Sequence, residues 1–169
     1  MTELIWFSRA GLPFSPDEEA HACALAERAA GFTRVTVERV ADWRAIAGIL
    51  RATDREDPWW EMEEAERQRL WQCAADRHAE TVLLARIAAI NGELAASVRI
   101  AAEASAARED VADSGVTRAA AGAVLVTEQQ SALVELAGEA NDHYFVRKRA
   151  AFAGGRWPLG YHRGAYFVF

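Results

Sequence analysis

The fold of this chain is decided by its last residues, Gly154-Gly155-Arg156-Trp157-Pro158-Leu159-Gly160-Tyr161-His162-Arg163-Gly164-Ala165-Tyr166-Phe167-Val168-Phe169. Aromatic and apolar residues flank a short loop, His162-Arg163-Gly164, that ends in glycine. This pattern predicts a β-hairpin with strands over 157–161 and 165–169. Pro158 has no amide hydrogen to donate to a neighbouring strand, so its strand should lie at a sheet edge. Because each buried aromatic side chain contributes about 2–3 kcal/mol, we expect the hairpin to be docked on the rest of the protein.

The N-terminal 41 residues predict a strand, a helix and a second strand. The apolar run Leu4–Phe7 is typical of a short strand. Ser15 and Glu18 have the spacing of a capping box, which favours a helix from Pro16 to Ala30. Residues 33–40 then alternate between apolar and polar side chains, as in a half-buried strand. We expect these strands and the C-terminal hairpin to form one small sheet.

The middle of the chain, residues 42–153, predicts helices. The chain contains 37 alanines, which have the highest helix propensity and the smallest buried side chain. Asp42 can cap a helix that runs to Thr53, and Pro58 suits the first position of the next helix. The segment Thr81–Ile90 is apolar except for Arg86, so we expect it to lie at the centre of the fold.

Two further boundaries can be predicted in this region. One helix from Pro58 to Asp113 would be about 84 Å long, which a chain of this size could not cover. We therefore expect a break near Asn91-Gly92 or around Ala106. A last long helix should extend from about Thr117 to Arg149 and end at Gly154-Gly155.

Together these patterns predict a helix-dominated α+β fold, in which alanine-rich helices pack on a small sheet. We expect one domain, 1–169, made of a strand–helix–strand unit (1–41), a helical region (42–153) and the C-terminal hairpin (154–169). Alanine-rich helices have shallow surfaces, and the long middle segment exposes more apolar length than one domain readily covers. A homodimer formed through the helices is therefore expected.

Composition and the first residues bear on localisation. Glu3 stands where a secretory leader would carry basic residues, and the following apolar run is short. Cys23 and Cys73 have neither metal-site spacing nor the density of a disulfide framework. We therefore expect a protein of the reducing cytoplasm. No apolar window of 18 residues is free of charge, which predicts that no segment spans a membrane.

Charge is distributed unevenly along the chain. Residues 1–141 carry 14 arginines and 24 acidic residues, whereas residues 142–169 carry five basic residues and one acidic residue. The basic aromatic tail, defined by Arg147, Lys148 and Arg149 among tyrosines and phenylalanines, has a composition seen in single-strand nucleic-acid surfaces. The acidic body argues against nucleic acid, because phosphate attraction depends on the summed field. A protein partner, or a contact within the chain, is favoured.

A second conspicuous surface is the acidic tryptophan patch, defined by Trp59, Trp60, Glu61, Glu63 and Glu64. Adjacent residues of a helix point about 100° apart, so the two tryptophans cannot share one narrow stripe. One should enter the core. The other could contact a neighbouring element, a partner or a ligand, since tryptophan is enriched at binding hot spots.

Two groups of residues are candidates for chemistry. Glu135, Glu139 and His143 have i, i+4, i+8 spacing, which would align them on one helix face as half of a metal site. His78 could act as a general base oriented by Asp76 or Glu80, or be a border residue satisfied by one hydrogen bond. A solvated helix face is the favoured explanation for the first group, and no nucleophile stands near His78.

No complete reactive motif accompanies these candidates. The sequence contains no Gly-x-Ser-x-Gly elbow, no glycine-rich phosphate loop after a strand and no Cys–His pairing. The pattern therefore favours a non-catalytic cytoplasmic protein-interaction module of immunity, adaptor or regulatory type that needs no cofactor. It would act through the acidic tryptophan patch and the basic aromatic tail. The alternative is a small-molecule-binding or metal-binding enzyme with a pocket between helices lined by histidine and glutamate.

Overall fold

The computed structural model describes residues 5–30, 35–52, 58–162 and 164–169. Within these ranges the protein has the predicted fold class, a helix-dominated α+β arrangement with a small mixed sheet. The elements in chain order are α1 (Pro16–Ala30), β1 (Thr36–Arg39), α2 (Trp43–Ala52), α3 (Pro58–Ala75), α4 (Glu80–Ala107), α5 (Ser114–Ala137), α6 (Tyr144–Ala153), β2 (Pro158–His162) and β3 (Ala165–Val168).

Strand β3 of the C-terminal hairpin is the central strand of the sheet. The strand order is β1-β3-β2, with β3 parallel to β1 and antiparallel to β2. Tyr166 of β3 therefore lies beside Val37 on one side and Tyr161 on the other. The hairpin prediction is confirmed, and so is the edge position of Pro158. The register shifts between Pro158 and Gly160, where the chain makes a bulge.

The N-terminal strand prediction is wrong for the described residues Ile5 to Phe7, and Leu4 lies outside the described ranges. This segment turns instead, and the Ser8 amide donates to the Ile5 carbonyl at 2.9 Å. Phe7 has a φ of 60° and its side chain is buried. Its ring centroid lies 5.7 Å from that of Trp43, so the apolar run serves as a core anchor rather than as a strand.

The first helix and the second predicted strand are present. The Glu18 amide donates to Ser15 Oγ at 3.3 Å, and the Ser15 amide donates to the Glu18 carboxylate at 2.7 Å, which is the predicted capping box. The strand is shorter than predicted, Thr36–Arg39, and residues 31–34 are outside the described ranges. Asp42 caps α2 by accepting from the Ala45 amide, and Thr53, its predicted end, is also outside them.

The long middle segment breaks at a different place from the one expected first. Helix α3 ends at Ala75, and α4 runs through Asn91-Gly92 to Ala107. The break expected at Asn91-Gly92 is therefore wrong, and the break expected near Ala106 is confirmed. A glycine in an exposed helix costs only about 1 kcal/mol relative to alanine, which neighbouring turns can offset.

The last long helix is in fact two helices, so the prediction of one helix over 117–149 is wrong. Gly138 ends α5 in the left-handed conformation, with a φ of 69°, and its amide donates to the Glu135 carbonyl. Helix α6 starts at Tyr144 and ends before Gly154 as predicted.

Helix α4 does not lie at the centre of the fold, contrary to the expectation for Thr81–Ile90. In that segment only Leu83 and Ile90 are buried, while Val82 and Leu84 are 48% and 52% exposed. The helix packs mainly against α5 along one stripe. By length and composition alone, α4 could cross a membrane, contrary to the expectation from the sequence.

Candidate functional site

A cleft of about 670 Å³ opens where the end of α1, the face of α3 and the start of α6 meet. We call it the α3–α6 cleft. Its lining residues are Arg28, Ala29, Trp59, Met62, Glu63, Ala65, Glu66, Arg69, Glu139, Ala140, Asp142, His143, Tyr144 and Phe145. The break at Gly138 makes this cleft possible, because it turns the chain and brings residues 139–145 against α3.

The deepest charged group of the cleft is Glu63, whose side chain is only 9% exposed. Its Oε1 accepts a hydrogen bond from Lys148 Nζ at 2.7 Å and another from Gln130 Nε2 at 3.0 Å. Its Oε2 accepts from the Tyr144 hydroxyl at 3.4 Å. A buried carboxylate needs such partners, since desolvation otherwise penalises its charge heavily. Glu63 thus joins α3 to both α5 and α6.

Two tyrosines continue this buried network towards the sheet. The Tyr144 and Tyr166 hydroxyl oxygens lie 3.1 Å apart. Burial raises the pKa of both hydroxyls well above their ordinary value, and the Glu63 charge adds to the effect. Both side chains are therefore neutral hydrogen-bonding groups at physiological pH and not nucleophiles.

His143 lies at the side of the cleft with both ring nitrogens engaged. Its Nδ1 accepts from the Phe145 amide at 3.1 Å as the N-cap of α6, and its Nε2 lies 2.8 Å from Glu66 Oε1. In the neutral ring the hydrogen is then on Nε2 and is donated to Glu66. This arrangement leaves no free imidazole nitrogen to act as a base or to bind a metal ion.

Ion pairs surround the opening of the cleft. Arg69 donates to Glu66 at 2.7 Å and to Glu139 at 2.9 Å, and Arg28 pairs with Asp142. The bond from Arg69 lowers the pKa of Glu66, so that carboxylate is charged at neutral pH. The lining contains four carboxylates against two guanidinium groups, with the Lys148 ammonium beneath the floor. The cleft therefore has an excess of negative charge.

The metal-site hypothesis is not supported by the positions of its residues. Glu135 is exposed in the last turn of α5, Glu139 lies in the following connection and pairs with Arg69, and His143 caps α6. They do not share one helix face, because α5 ends at Ala137. Among the described residues, no group of three or more histidine, cysteine, aspartate or glutamate side chains could hold a metal ion.

The catalytic candidates lie elsewhere, His78 in the turn between α3 and α4 and Glu80 at the start of α4. His78 Nε2 donates to the Leu136 carbonyl at 3.1 Å, which is the structural alternative considered for it. Glu80 is exposed in the first turn of α4, and its side chain forms no hydrogen bond or ion pair within the described part of the chain. Neither side chain lines the α3–α6 cleft.

The acidic tryptophan patch is divided between the interior and the surface. Trp59 is buried and Trp60 is half-buried, with ring centroids 4.4 Å apart. Glu63 forms the floor of the cleft, as described above. Glu64 pairs with Arg67 of its own helix, and Glu61 is exposed.

The basic aromatic tail is also bonded within the chain. Lys148 is buried against Glu63, Arg149 pairs with Glu128 at 2.8 Å, and Arg147 donates to the Asp142 carbonyl at 3.1 Å. A role in partner binding stays a prediction for the exposed members of these two groups.

Sequence reasoning selected five residues of this site for unrelated reasons, namely Trp59, Glu63, Glu139, His143 and Lys148. It missed Glu66, Arg69, Gln130 and the two tyrosines. Lys148 could have been noticed from the sequence, because it is the only lysine in a chain whose other basic residues are arginine. The position of its partner, far away in sequence, depends on the tertiary fold.

The chain matches no protein-family model, no curated protein and no solved structure. The geometry of the cleft is therefore the basis for a functional proposal.

Proposed function

We propose that this protein is a non-catalytic, cytoplasmic protein-interaction module whose α3–α6 cleft receives a positively charged segment of a partner protein. An immunity, adaptor or regulatory role fits such a module. The observation that carries the proposal is the excess of carboxylates in a cleft that also contains aromatic side chains. A lysine or arginine side chain of the partner would find both an opposite charge and a ring face there.

The charge of the whole protein supports a basic partner. The formal net charge is −6, so the summed field attracts cations before any contact forms. Complementary charges mainly accelerate association and select the partner, and both effects weaken as salt screens them. Binding should therefore be strongly dependent on ionic strength.

The hydrogen bonds of His143 support a binding role over catalysis. His143, the histidine that lines the cleft, uses both ring nitrogens for the helix cap and for Glu66. The two tyrosines nearby are neutral because burial raises their pKa. The described lining thus offers neither a free imidazole base nor an activated nucleophile.

Titration of the protein with a short arginine- and lysine-rich peptide, followed by amide NMR and calorimetry, tests the proposal. Chemical-shift changes should concentrate at residues 139–145 and on the facing side of α3. The variants Glu139→Gln and Asp142→Asn should weaken binding. Glu135→Gln is the matched control, because Glu135 is also an exposed carboxylate but lies outside the cleft. An equal loss of binding in that control, or shifts spread over the whole surface, would refute the cleft as the site.

The second candidate function is binding, or conversion, of a small organic cation in the same cleft. Its volume lies within the range of about 300–1,000 Å³ typical of small-molecule sites. A free diamine that saturates the cleft at the same residues, while basic peptides bind no more tightly, would favour this alternative. The absence of both interactions would rule out both functions for this cleft.

A further inference from the structure

An ion pair joins α1 to the opening of the α3–α6 cleft. Arg28, in the last turn of α1, donates from its Nη2 atom to Oδ2 of Asp142, in the connection before α6. Both residues line the cleft, although 114 positions separate them in sequence. A guanidinium group of the chain itself therefore lies on one of the carboxylates that a basic partner would use.

This ion pair is exposed and rests on one hydrogen bond. The side chain of Arg28 is 50% exposed and that of Asp142 is 55% exposed. Within the described part of the chain, Arg28 pairs with no other carboxylate. An exposed ion pair contributes little to stability, because water solvates both charges well when they separate. The pair can therefore open with little loss of free energy.

The other arginine of the cleft is bonded more extensively. Arg69 donates to both carboxylate oxygens of Glu66, at 2.7 and 2.8 Å, and to Glu139 at 2.9 Å. Two parallel bonds to one carboxylate fix the orientation of a guanidinium group as well as its position. Arg69 is therefore part of the cleft wall, whereas Arg28 is the arginine of the lining that can move away.

A cation that enters the cleft would meet Arg28 at the opening. The two positive charges repel each other, and Asp142 attracts the incoming charge only weakly while Arg28 neutralises it. Both effects disappear when the Arg28 side chain rotates away, and the incoming cation can then bond to Asp142. Exposed side chains change rotamer within nanoseconds, so this exchange requires no movement of the helices.

We propose that Arg28 occupies the place of the partner's cation and is displaced from Asp142 when the partner binds. This inference rests on the proposed function and adds a regulatory contact to the same cleft. Arg28 acts as an internal competitor that lowers the affinity for every basic segment. Weakly basic segments, which do not compete with Arg28, are then excluded.

Calorimetry with the arginine- and lysine-rich peptide tests this displacement. Arg28→Gln removes the competitor and should bind the peptide about two- to fivefold more tightly, the range that an exposed ion pair accounts for. Position 28 is exposed and glutamine favours helix, so the variant should stay folded. Arg67→Gln is the matched control, because Arg67 pairs with Glu64 of its own helix and lies outside the cleft. It removes the same charge and should change the affinity by less.

Two further measurements separate displacement from a general effect of charge. In the Asp142→Asn background Arg28 has no carboxylate to hold, so Arg28→Gln should give little further gain in affinity. In the wild type, the NMR signal of the Arg28 Nε–H group should move on peptide addition towards its position in Asp142→Asn.

The outcomes distinguish this inference from the proposed function. If the wild type binds the peptide but Arg28→Gln binds it equally or less tightly, the displacement is overturned and the cleft remains the binding site. An equal gain in both backgrounds, or an unmoved Arg28 signal in the bound wild type, has the same consequence. Absence of peptide binding in the wild type and in Arg28→Gln alike would overturn the proposed function and this inference together.

Discussion

The Nζ atom of Lys148 on α6 lies 2.7 Å from Oε1 of Glu63 on α3, although 85 residues separate them in sequence. Each side chain is 9% exposed, so the pair is largely removed from water. Desolvation makes such a pair a weak source of stability, but losing one partner leaves the other charge buried without compensation. The pair therefore fixes how α6 lies against α3, and with it the floor of the α3–α6 cleft.

Removing one charged side chain of the Lys148–Glu63 pair should strongly destabilise the protein. Lys148→Met removes the cation and should lower the free energy of unfolding by about 3–5 kcal/mol. The double variant Lys148→Met with Glu63→Met should recover much of that loss, because no charge is then buried alone. Urea denaturation of the three proteins checks both values. A double variant no more stable than the single variant would show that the charge pairing is not the cause.

The stability of the protein should fall in acid through Glu18. Hydrogen bonds from Arg9 and then from Arg156 hold the pKa of the Glu18 carboxyl well below its ordinary value. In the unfolded chain a glutamate titrates near about 4.3. The stabilisation is therefore complete above that pH and is lost as pH falls towards the folded-state pKa.

Denaturation curves over a pH series check this prediction. Wild-type stability should decline below about pH 5, and Glu18→Gln should flatten the decline. Glu64→Gln is the matched control. Bonds chiefly from Arg67 lower the pKa of Glu64 to about 2, but its side chain is 50% exposed, so solvent screens the pair. A larger effect at Glu64 than at Glu18 would contradict the prediction.

Glycine should be required at position 160 but not at position 92. Gly160 has a φ of 113°, and a Cβ atom there would lie 2.5 Å from the buried ring of Trp59. Gly160→Ala should therefore destabilise the protein by about 2 kcal/mol or more, from backbone strain together with displacement of the ring. Gly92→Ala in open helix should stabilise it by about 0.5–1 kcal/mol. Thermal melts of the two variants should shift in opposite directions.

Deletion of the last five residues should unfold the whole protein and not only remove its last strand. Residues 165–169 contain β3, the central strand, which bonds to both β1 and β2. Phe169 beyond it packs edge-on against Trp43 at 5.1 Å between ring centroids. Because β1 and β2 both lose their partner, we expect the lost stabilisation to exceed a typical free energy of unfolding of about 5–15 kcal/mol. A truncated chain with wild-type near-UV circular dichroism would contradict this.

The sequence by itself determined the elements whose signals are local. The capping box of Ser15 and Glu18, Pro58 at the start of α3, and the C-terminal hairpin of β2 and β3 each depend on residues a few positions apart. Their hydrogen bonds and backbone preferences act within one or two turns of the chain. These elements are therefore present in the structure where the sequence predicts them.

Tertiary structure decided the features that depend on distant residues. The pattern could not show that Phe7 is more favourable in the core beside Trp43 than in a strand. It also could not show that Val82 and Leu84 of α4 stay exposed. It named Glu63 and Lys148 as surface charges, whereas the fold buries them against each other. Burial and pairing depend on which helices become neighbours, and that choice is made by packing across the whole chain rather than by any local preference.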